Sequence, residues 1–270
     1  MRVLMCGLLA LAALTGCGEA ATPATPATPA TPATGAAGAT VDRARERETV
    51  VATCMKQRGF VYTPSVSSPK RSSANPADYA AMKADRAKNG FGVFSAIVYP
   101  KPPETQAPDP NQAAIDALSG GRRDAYLKAL NECRVTALRQ VDGLKVTSVA
   151  DYQDQMSTEI ENIDKLLDGD PKLLELAAPF AECLKSEGER VTSAKPLALS
   201  IRGMEVWGEQ ADRLGKPGTV TAEAVRPYLA KEITSALADL ECGKDFYAAF
   251  LPLQKRLTNE ARVKYGFQER

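Results

Sequence analysis

The stretch Cys54-Met55-Lys56-Gln57-Arg58-Gly59 recurs later in the chain as Cys183-Leu184-Lys185-Ser186-Glu187-Gly188. Both copies read cysteine, an apolar residue, lysine, two further residues and glycine. Each copy is followed by a second cysteine that comes directly after a glutamate, at Cys133 and at Cys242. A glycine at the end of a helical pattern typically terminates the helix. The repeat therefore predicts two duplicated helical halves, which we place at residues 41–145 and 146–270.

Apolar spacing predicts that most of the body is helical. Residues 121–141 and 149–167 carry apolar side chains at helical intervals. Asp170-Pro171 is a sound N-cap and first-turn pair for a further helix. Residues 91–99, FGVFSAIVY, are rich in aromatic and β-branched residues and are the best strand candidate. The expected fold is mainly α with one small β element.

The chain has six cysteines, of which Cys6 and Cys17 lie near the amino terminus. Four remain in the body, an even number that predicts disulfides in an oxidising compartment. Three pairings are open, and repeat symmetry favours Cys54 with Cys133 and Cys183 with Cys242. A zinc site built from the four thiolates is the alternative, but the sequence has no Cys-x-x-Cys pair.

The amino terminus has the features of an export signal. An apolar run over residues 3–14 is shorter than the roughly 20 residues that span a bilayer, and it fits a secretory signal core. It ends in Leu14-Thr15-Gly16-Cys17, which resembles the bacterial lipobox. The resemblance implies that residues 1–16 are a lipoprotein signal peptide and that Cys17 carries acyl chains such as palmitate. Ordinary signal cleavage without lipid is the alternative.

Residues 17–40 are interpreted as the lipidated cysteine and a spacer. Prolines recur at every third position, a spacing that matches the polyproline II turn and indicates a semi-rigid strut. The intervening threonines are candidates for O-glycosylation, and an unmodified spacer is the alternative. The spacer would hold the body away from the outer face of the membrane.

Composition excludes several classes of chemistry. The chain has no histidine, so a Ser-His-Asp or Cys-His system and a His-ligated zinc are excluded. Lysine plus arginine number 34 against 33 acidic residues, which argues against nucleic-acid binding. Residues 203–208 have the glycine spacing of a phosphate loop, but Glu209 stands where its lysine is required. No cofactor, metal or catalytic residue is predicted.

Four further patterns have both a functional and a structural interpretation. Ser67-x-x-Lys70 and Ser73-x-Asn75 match penicillin-interacting enzymes, but Pro69 opposes the required helix, so coincidence is favoured. Paired carboxylates would suit a glycosidase, but the acidic residues over 151–164 are spread around a helix, as on a solvated face. Three aromatic residues are candidates for a groove or for packing: Trp207, Tyr228 and Tyr247.

The alternating charges over residues 43–48 indicate a charged helix surface.

Three motifs follow one another within residues 48–135: residues 54–62, the turn at 89–93, and residues 126–133. In this order they resemble a set of secreted proteins and lipoproteins of actinomycetes. The resemblance implies export and a disulfide, and it supplies no catalytic residue.

The expected function is that of a lipid-anchored, non-enzymatic binding or structural module on the extracytoplasmic face of the bacterial cell membrane. Its expected partners are the membrane, through the anchor, and an envelope protein, peptide or glycan. A carboxylate-dependent envelope hydrolase is the alternative. A solute-binding lipoprotein is disfavoured because alternating strand and helix units are missing.

Overall fold

The computed structural model of the chain describes residues 34–66, 78–101, 108–216 and 218–266, with side chains from residue 42 onward. The predicted signal peptide, Cys17, the proline repeats and the Ser67–Asn75 motifs lie outside the described residues. The described ranges contain ten helices and no strand. The helices are α1 (Thr34–Gln57), α2 (Tyr79–Asn89), α3 (Ser95–Val98), α4 (Gln112–Asp116), α5 (Gly120–Val141), α6 (Val149–Gly169), α7 (Pro171–Ser186), α8 (Pro196–Leu214), α9 (Ala222–Cys242) and α10 (Lys244–Tyr265). Of these, none is long and apolar enough to cross a bilayer.

The helical prediction is confirmed, and the helix boundaries follow local chemistry. Helix α7 begins as expected, because Asp170 Oδ1 accepts a hydrogen bond from the Leu173 backbone N–H at 2.9 Å and Pro171 occupies the first turn. Helix α1 begins at Thr34, inside the predicted spacer. Pro32 is the last proline of the repeat, so no proline ring opposes a helix from Thr34 onward. The spacer over residues 17–40 stays a prediction.

The predicted strand over residues 91–99 is wrong. The segment forms a turn followed by the short helix α3. Gly90 and Gly92 have φ values of 61° and 100°, so the backbone turns where a strand would have to extend. Phe94 and Val98, four residues apart, are both buried, which is helical rather than alternating burial. The packing of these side chains against other helices therefore outweighed the β-propensity of the segment.

The two repeated hexapeptides end their helices in the same way. Gly59 and Gly188 have φ values of 77° and 78°. In each copy the residue after the glycine donates its backbone N–H to the carbonyl five residues back, at 3.0 and 2.9 Å. The glycine itself donates to the carbonyl three residues back, at 3.0 and 3.1 Å. This is the Schellman arrangement, in which glycine supplies the left-handed residue that an L side chain disfavours.

Both disulfides that repeat symmetry favours are present. Cys54 at the end of α1 is bonded to Cys133 on α5, and Cys183 at the end of α7 is bonded to Cys242 at the end of α9. The Cα–Cα distances are 5.6 and 5.5 Å. Each disulfide therefore fixes one capped helix end to a second helix.

The buried core is divided between several clusters. The largest joins α6, α7, α8, α9 and α10, and a second joins α1 to α5 around the first disulfide. Helix α2 contributes Tyr79 and Met82 to the largest cluster, while Phe94 and Val98 pack on α9 in a third. The segment 79–98 thus packs against helices that follow residue 146. The division into duplicated halves at 145 and 146 stays a prediction.

Candidate functional site

Buried charge is concentrated where α2, α8, α9 and α10 meet. Four of the six buried polar or charged residues in the described ranges lie here: Arg202, Glu232, Ser235 and Asp239. The last three are spaced three and four residues apart on α9, so they share one face of the helix. We call Glu232, Ser235 and Asp239 the α9 stripe. Both carboxylates of the stripe are 0 % exposed.

Glu232 holds the turn that precedes α3. Its Oε1 accepts hydrogen bonds from the backbone N–H groups of Phe91 and Val93 at 2.8 and 2.9 Å, and its Oε2 accepts from Phe94 N–H at 2.9 Å. Burial raises the pKa of the Glu232 carboxyl, and these backbone donors oppose the rise. A Cβ at Gly90 would lie 2.7 Å from Glu232 Cγ, so the backbone at position 90 can come this close to the Glu232 side chain only with glycine there.

Asp239 is surrounded by donors from three other helices. Arg202 Nη2 lies 3.2 Å from Oδ2, Arg86 Nη1 lies 3.6 Å from Oδ1, and the Tyr247 hydroxyl donates to Oδ1 at 2.7 Å. Burial raises the pKa of Asp239, while the two guanidinium groups and the tyrosine oppose the rise. Burial and the Asp239 charge raise the pKa of Tyr247. Removing the Asp239 carboxylate would take one shared counter-charge from both guanidinium groups.

Phe91 is in contact with both parts of this buried network, because its backbone N–H binds Glu232 and its ring lies near the two arginines that surround Asp239. The guanidinium carbons of Arg86 and Arg202 lie 4.5 and 6.0 Å from the ring centroid, within cation–π range. A Cβ on Gly203 would lie 2.0 Å from a ring atom. The glycine at 203 therefore makes room for an aromatic ring against helix α8, and residues 203–208 lie inside that helix.

Residues 90–98, the turn and α3, fill an apolar groove on α8 and α9; we call this segment the plug. Phe94 is fully buried, and with Val98 it packs against Val225 and Leu229. The Phe94 ring centroid is 6.1 Å from that of Trp207 and 5.5 Å from that of Tyr228.

The three aromatic residues that the sequence singled out are only partly brought together. Trp207 and Tyr228 meet around Phe94, but Tyr247 is buried in the largest cluster instead. The packing interpretation of these residues is therefore the one that the structure supports.

Two of the acidic residues over 151–164 of α6 are engaged by other groups of the protein, and these two lie in different places. Asp151 accepts hydrogen bonds from the backbone N–H and hydroxyl of Thr147 at 2.6 and 2.7 Å, which lowers the pKa of its carboxyl. Glu159 accepts from Lys264 of α10 at 2.5 Å. Glu161 and Asp164 line a shallow, open depression that also includes Lys195. Within the described residues, no group of three or more histidine, cysteine, aspartate or glutamate residues is placed to hold a metal.

One charged residue of α1 departs from the predicted solvated surface. Arg47 Nη1 contacts both carboxylate oxygens of Asp142 at 2.8 and 3.0 Å, and its Nη2 donates to the Gly266 carbonyl at 2.7 Å. The Asp142 side chain is fully buried, while that of Arg47 is 15 % exposed. This contact ties the start of the described body to the ends of α5 and α10.

Sequence reasoning missed the α9 stripe, although a signal for it exists. Val225, Leu229, Ala236 and Leu240 are buried on α9, and Glu232 and Asp239 lie at the same helical intervals. A carboxylate at an apolar-face position indicates a buried charge that needs partners. The partners Arg86 and Arg202 are distant in sequence and carry no such signal.

The chain matches no family model, no curated protein and no solved structure. The interpretation of the site therefore rests on its own geometry.

Proposed function

We propose that this protein is a lipoprotein, anchored through Cys17 to the extracytoplasmic face of the bacterial cell membrane, and that its body is a non-enzymatic binding or structural module of the envelope. The observation that carries the proposal is the combination of a lipobox-like Leu14-Thr15-Gly16-Cys17 with two disulfides in the body. Disulfides persist in oxidising compartments and are rare in the cytosol. Two or more acyl chains would provide stable anchoring.

The burial of the strongest ionisable network supports a non-enzymatic role. Glu232 and Asp239 accept hydrogen bonds from the protein itself and are shielded from solvent. A hydrolytic carboxylate pair has to reach the scissile bond and a water molecule. The alternative of a carboxylate-dependent hydrolase has no comparable observation in its favour, since the open depression at Glu161 and Asp164 is shallow and lined by lysines as well.

The shared cap and disulfide support an origin of residues 41–145 and 146–270 by duplication. The resemblance to secreted actinomycete proteins and lipoproteins belongs to the same proposal. Residues 17–40 would then be the lipidated cysteine and the spacer between the lipid and the body, and the proline spacing at residues 23–32 favours an extended conformation there.

The anchor is tested by metabolic labelling with a palmitate analogue in a bacterium that processes lipoproteins. The wild-type chain is expected to incorporate the label and to partition into the detergent phase. Cys17→Ala should lose both properties. Cys6→Ala is the matched control, since Cys6 lies in the segment that is removed, and it should behave like the wild type. Equal labelling of Cys17→Ala would contradict the proposal.

The binding role is tested by crosslinking in intact cells, followed by identification of what is captured. A defined envelope protein, peptide or glycan is the expected result. Recovery of only bulk lipid and wall material, from wild type and Cys17→Ala alike, would count against a binding module.

A further inference from the structure

Helix α1 connects the body to the residues before it, which lead to Cys17. Under the proposed function Cys17 is fixed in the membrane, so a pull on the body by a bound envelope component is opposed at α1. The way in which α1 is fastened therefore decides how the body responds to tension.

Before the first disulfide, α1 is held by noncovalent contacts that follow one another along the helix. Among the described side chains, the first buried one is that of Ala44, and the next is that of Val51. Between them, Arg47 pairs with both carboxylate oxygens of Asp142 at 2.8 and 3.0 Å and donates to the Gly266 carbonyl at 2.7 Å. A pull on the start of α1 loads these contacts one after another, so they break singly rather than together.

The covalent bond between Cys54 and Cys133 ends this series of contacts. Glu48 lies before it and accepts hydrogen bonds from the Tyr62 hydroxyl at 2.9 Å and the Ser65 backbone N–H at 3.0 Å. Once α1 has been pulled out as far as the disulfide, tension passes through the sulfur atoms into α5. Residues 55–132 lie in the closed loop and are bypassed.

The second disulfide has the same effect on residues 184–241, which lie in the loop that it closes. Tension between Cys17 and α10 therefore follows residues 17–54, 133–183 and 242 onward. Tyr247 is on this path, but the rest of the buried charge network lies in the two bypassed loops. The bypassed members are Arg86, Phe91, Arg202, Glu232, Ser235 and Asp239.

We propose that the part of α1 before Cys54 is an extensible strap, which lengthens under tension on the lipid anchor to a limit set by the Cys54–Cys133 disulfide. As a helix, residues 34–53 span about 30 Å, and fully extended they span about 70 Å, so the strap gains about 40 Å. The inference rests on the proposed anchoring at Cys17, because tension reaches α1 only through an anchor.

Optical tweezers on single molecules test the strap. From Cys17 onward the sequence has five cysteines, and four of them form the two disulfides, so the Cys17 thiol of the unlipidated chain can carry one handle. The second handle is attached through an azide-bearing amino acid in place of Lys255, at an exposed position of α10. This pair of handles places both disulfides on the path of the force.

We expect a first extension that adds about 40 Å of contour length and occurs at a lower force than the later steps. It should reverse on relaxation, because α5 keeps the apolar surface on which Val51 packs. Unfolding of the whole body in a single step, with no separate first extension, would overturn the proposal.

Two disulfide variants identify the stop. In Cys54→Ala/Cys133→Ala the first extension should no longer end after about 40 Å, because the chain beyond residue 54 can follow. Cys183→Ala/Cys242→Ala removes a bridge that lies later on the path and should keep the wild-type first extension. A first extension of wild-type length in Cys54→Ala/Cys133→Ala would show that packing, and not the disulfide, sets the limit, and would overturn the proposal.

A matched pair of arginine variants tests which contacts hold the strap. Arg47→Ala removes a bidentate contact to another helix and should lower the force of the first extension. Arg45→Ala removes an exposed pair with Asp42 of the same helix and should leave that force unchanged. Equal forces for Arg47→Ala and the wild type would count against α1 as the element that yields first. If a variant does not fold, the wild-type trace decides.

The strap and the anchor fail in different measurements. Normal labelling of Cys17 by the palmitate analogue, without a separate first extension, would refute the strap and leave the anchor in place. A first extension of about 40 Å in a chain that takes no label at Cys17 would refute the anchor and, with it, the role of the strap.

Discussion

The helix pair α1–α5 and the helix pair α7–α9 have the same covalent device in different surroundings. Each has a Schellman-capped helix joined by a disulfide to its partner. In the first pair, the disulfide lies among apolar residues such as Met55 and Tyr126, and buried charge is confined to the Arg47–Asp142 contact at the far end. In the second pair, α9 carries a stripe of buried carboxylates on the face that receives α2 and the plug. The cap and the disulfide fix the ends of the helices. The rest of the partner helix can therefore differ between the two pairs, and in α9 it carries the buried carboxylates.

Removing the disulfides is expected to give the largest effect and to affect both pairs alike. In the chain-entropy model, each bridge contributes about 4 kcal/mol to the free energy of unfolding, and the difference between loops of 79 and 59 residues is only ~0.3 kcal/mol. Urea unfolding of Cys54→Ala/Cys133→Ala and of Cys183→Ala/Cys242→Ala measures both losses. A much larger loss for one bridge would show that local packing, rather than loop closure, dominates its contribution.

The buried carboxylates should distinguish the two pairs. Asp239→Ala removes the buried carboxylate that Arg86, Arg202 and the Tyr247 hydroxyl share, and we expect a loss of about 3 kcal/mol or more. Arg202 keeps its ion pair with Glu189 at 3.0 Å, so the loss falls mainly on Arg86 and Tyr247. Asp142→Ala should cost about 1–2 kcal/mol, because Arg47 is more exposed and keeps its bond to the Gly266 carbonyl. Chemical denaturation of both variants gives the comparison. A loss for Asp142→Ala as large as that for Asp239→Ala would contradict the proposed contrast.

The parts of the structure that local sequence patterns determine could be predicted, and the parts that depend on residues far away in the sequence could not. The disulfide pairing followed from a repeat visible within two hexapeptides, and the start of α7 followed from the adjacent residues Asp170 and Pro171. The conformation of residues 91–99 depends on Glu232, which is 138 residues or more away in the sequence. Glu232 binds backbone N–H groups of this segment, and such groups have no signature in the sequence. Helix α8 was not predicted, although Pro196 in its first turn and its amphipathic sequence are local signals for a helix. Its Gly203 is explained only by the Phe91 ring that packs against it. Local signals were therefore sufficient for caps and bridges, and insufficient for the buried stripe.

Two glycines of α8 offer a test of the contact between the second pair and the plug. A Cβ on Gly203 would overlap the Phe91 ring, whereas a Cβ on Gly208 would meet no atom within 4 Å. We expect Gly203→Ala to destabilise the protein by about 1–3 kcal/mol through overpacking. Gly208→Ala should stabilise it by about 0.5–1 kcal/mol through helix propensity. Thermal unfolding of both variants measures these opposite signs, and a neutral Gly203→Ala would show that Phe91 leaves its place at little cost.

The smallest expected effect tests whether the two caps are equivalent. Gly59 and Gly188 have nearly identical positive φ values, and a Cβ added to either would meet no atom within 4 Å, so only backbone strain opposes alanine at these sites. Gly59→Ala and Gly188→Ala should each cost about 1 kcal/mol, because an L side chain disfavours the left-handed region by roughly that amount. Urea unfolding of the two variants should give equal losses within about 0.5 kcal/mol. Unequal losses would mean that one hexapeptide depends on its surroundings as well as on its cap, since the conformational strain is the same in both.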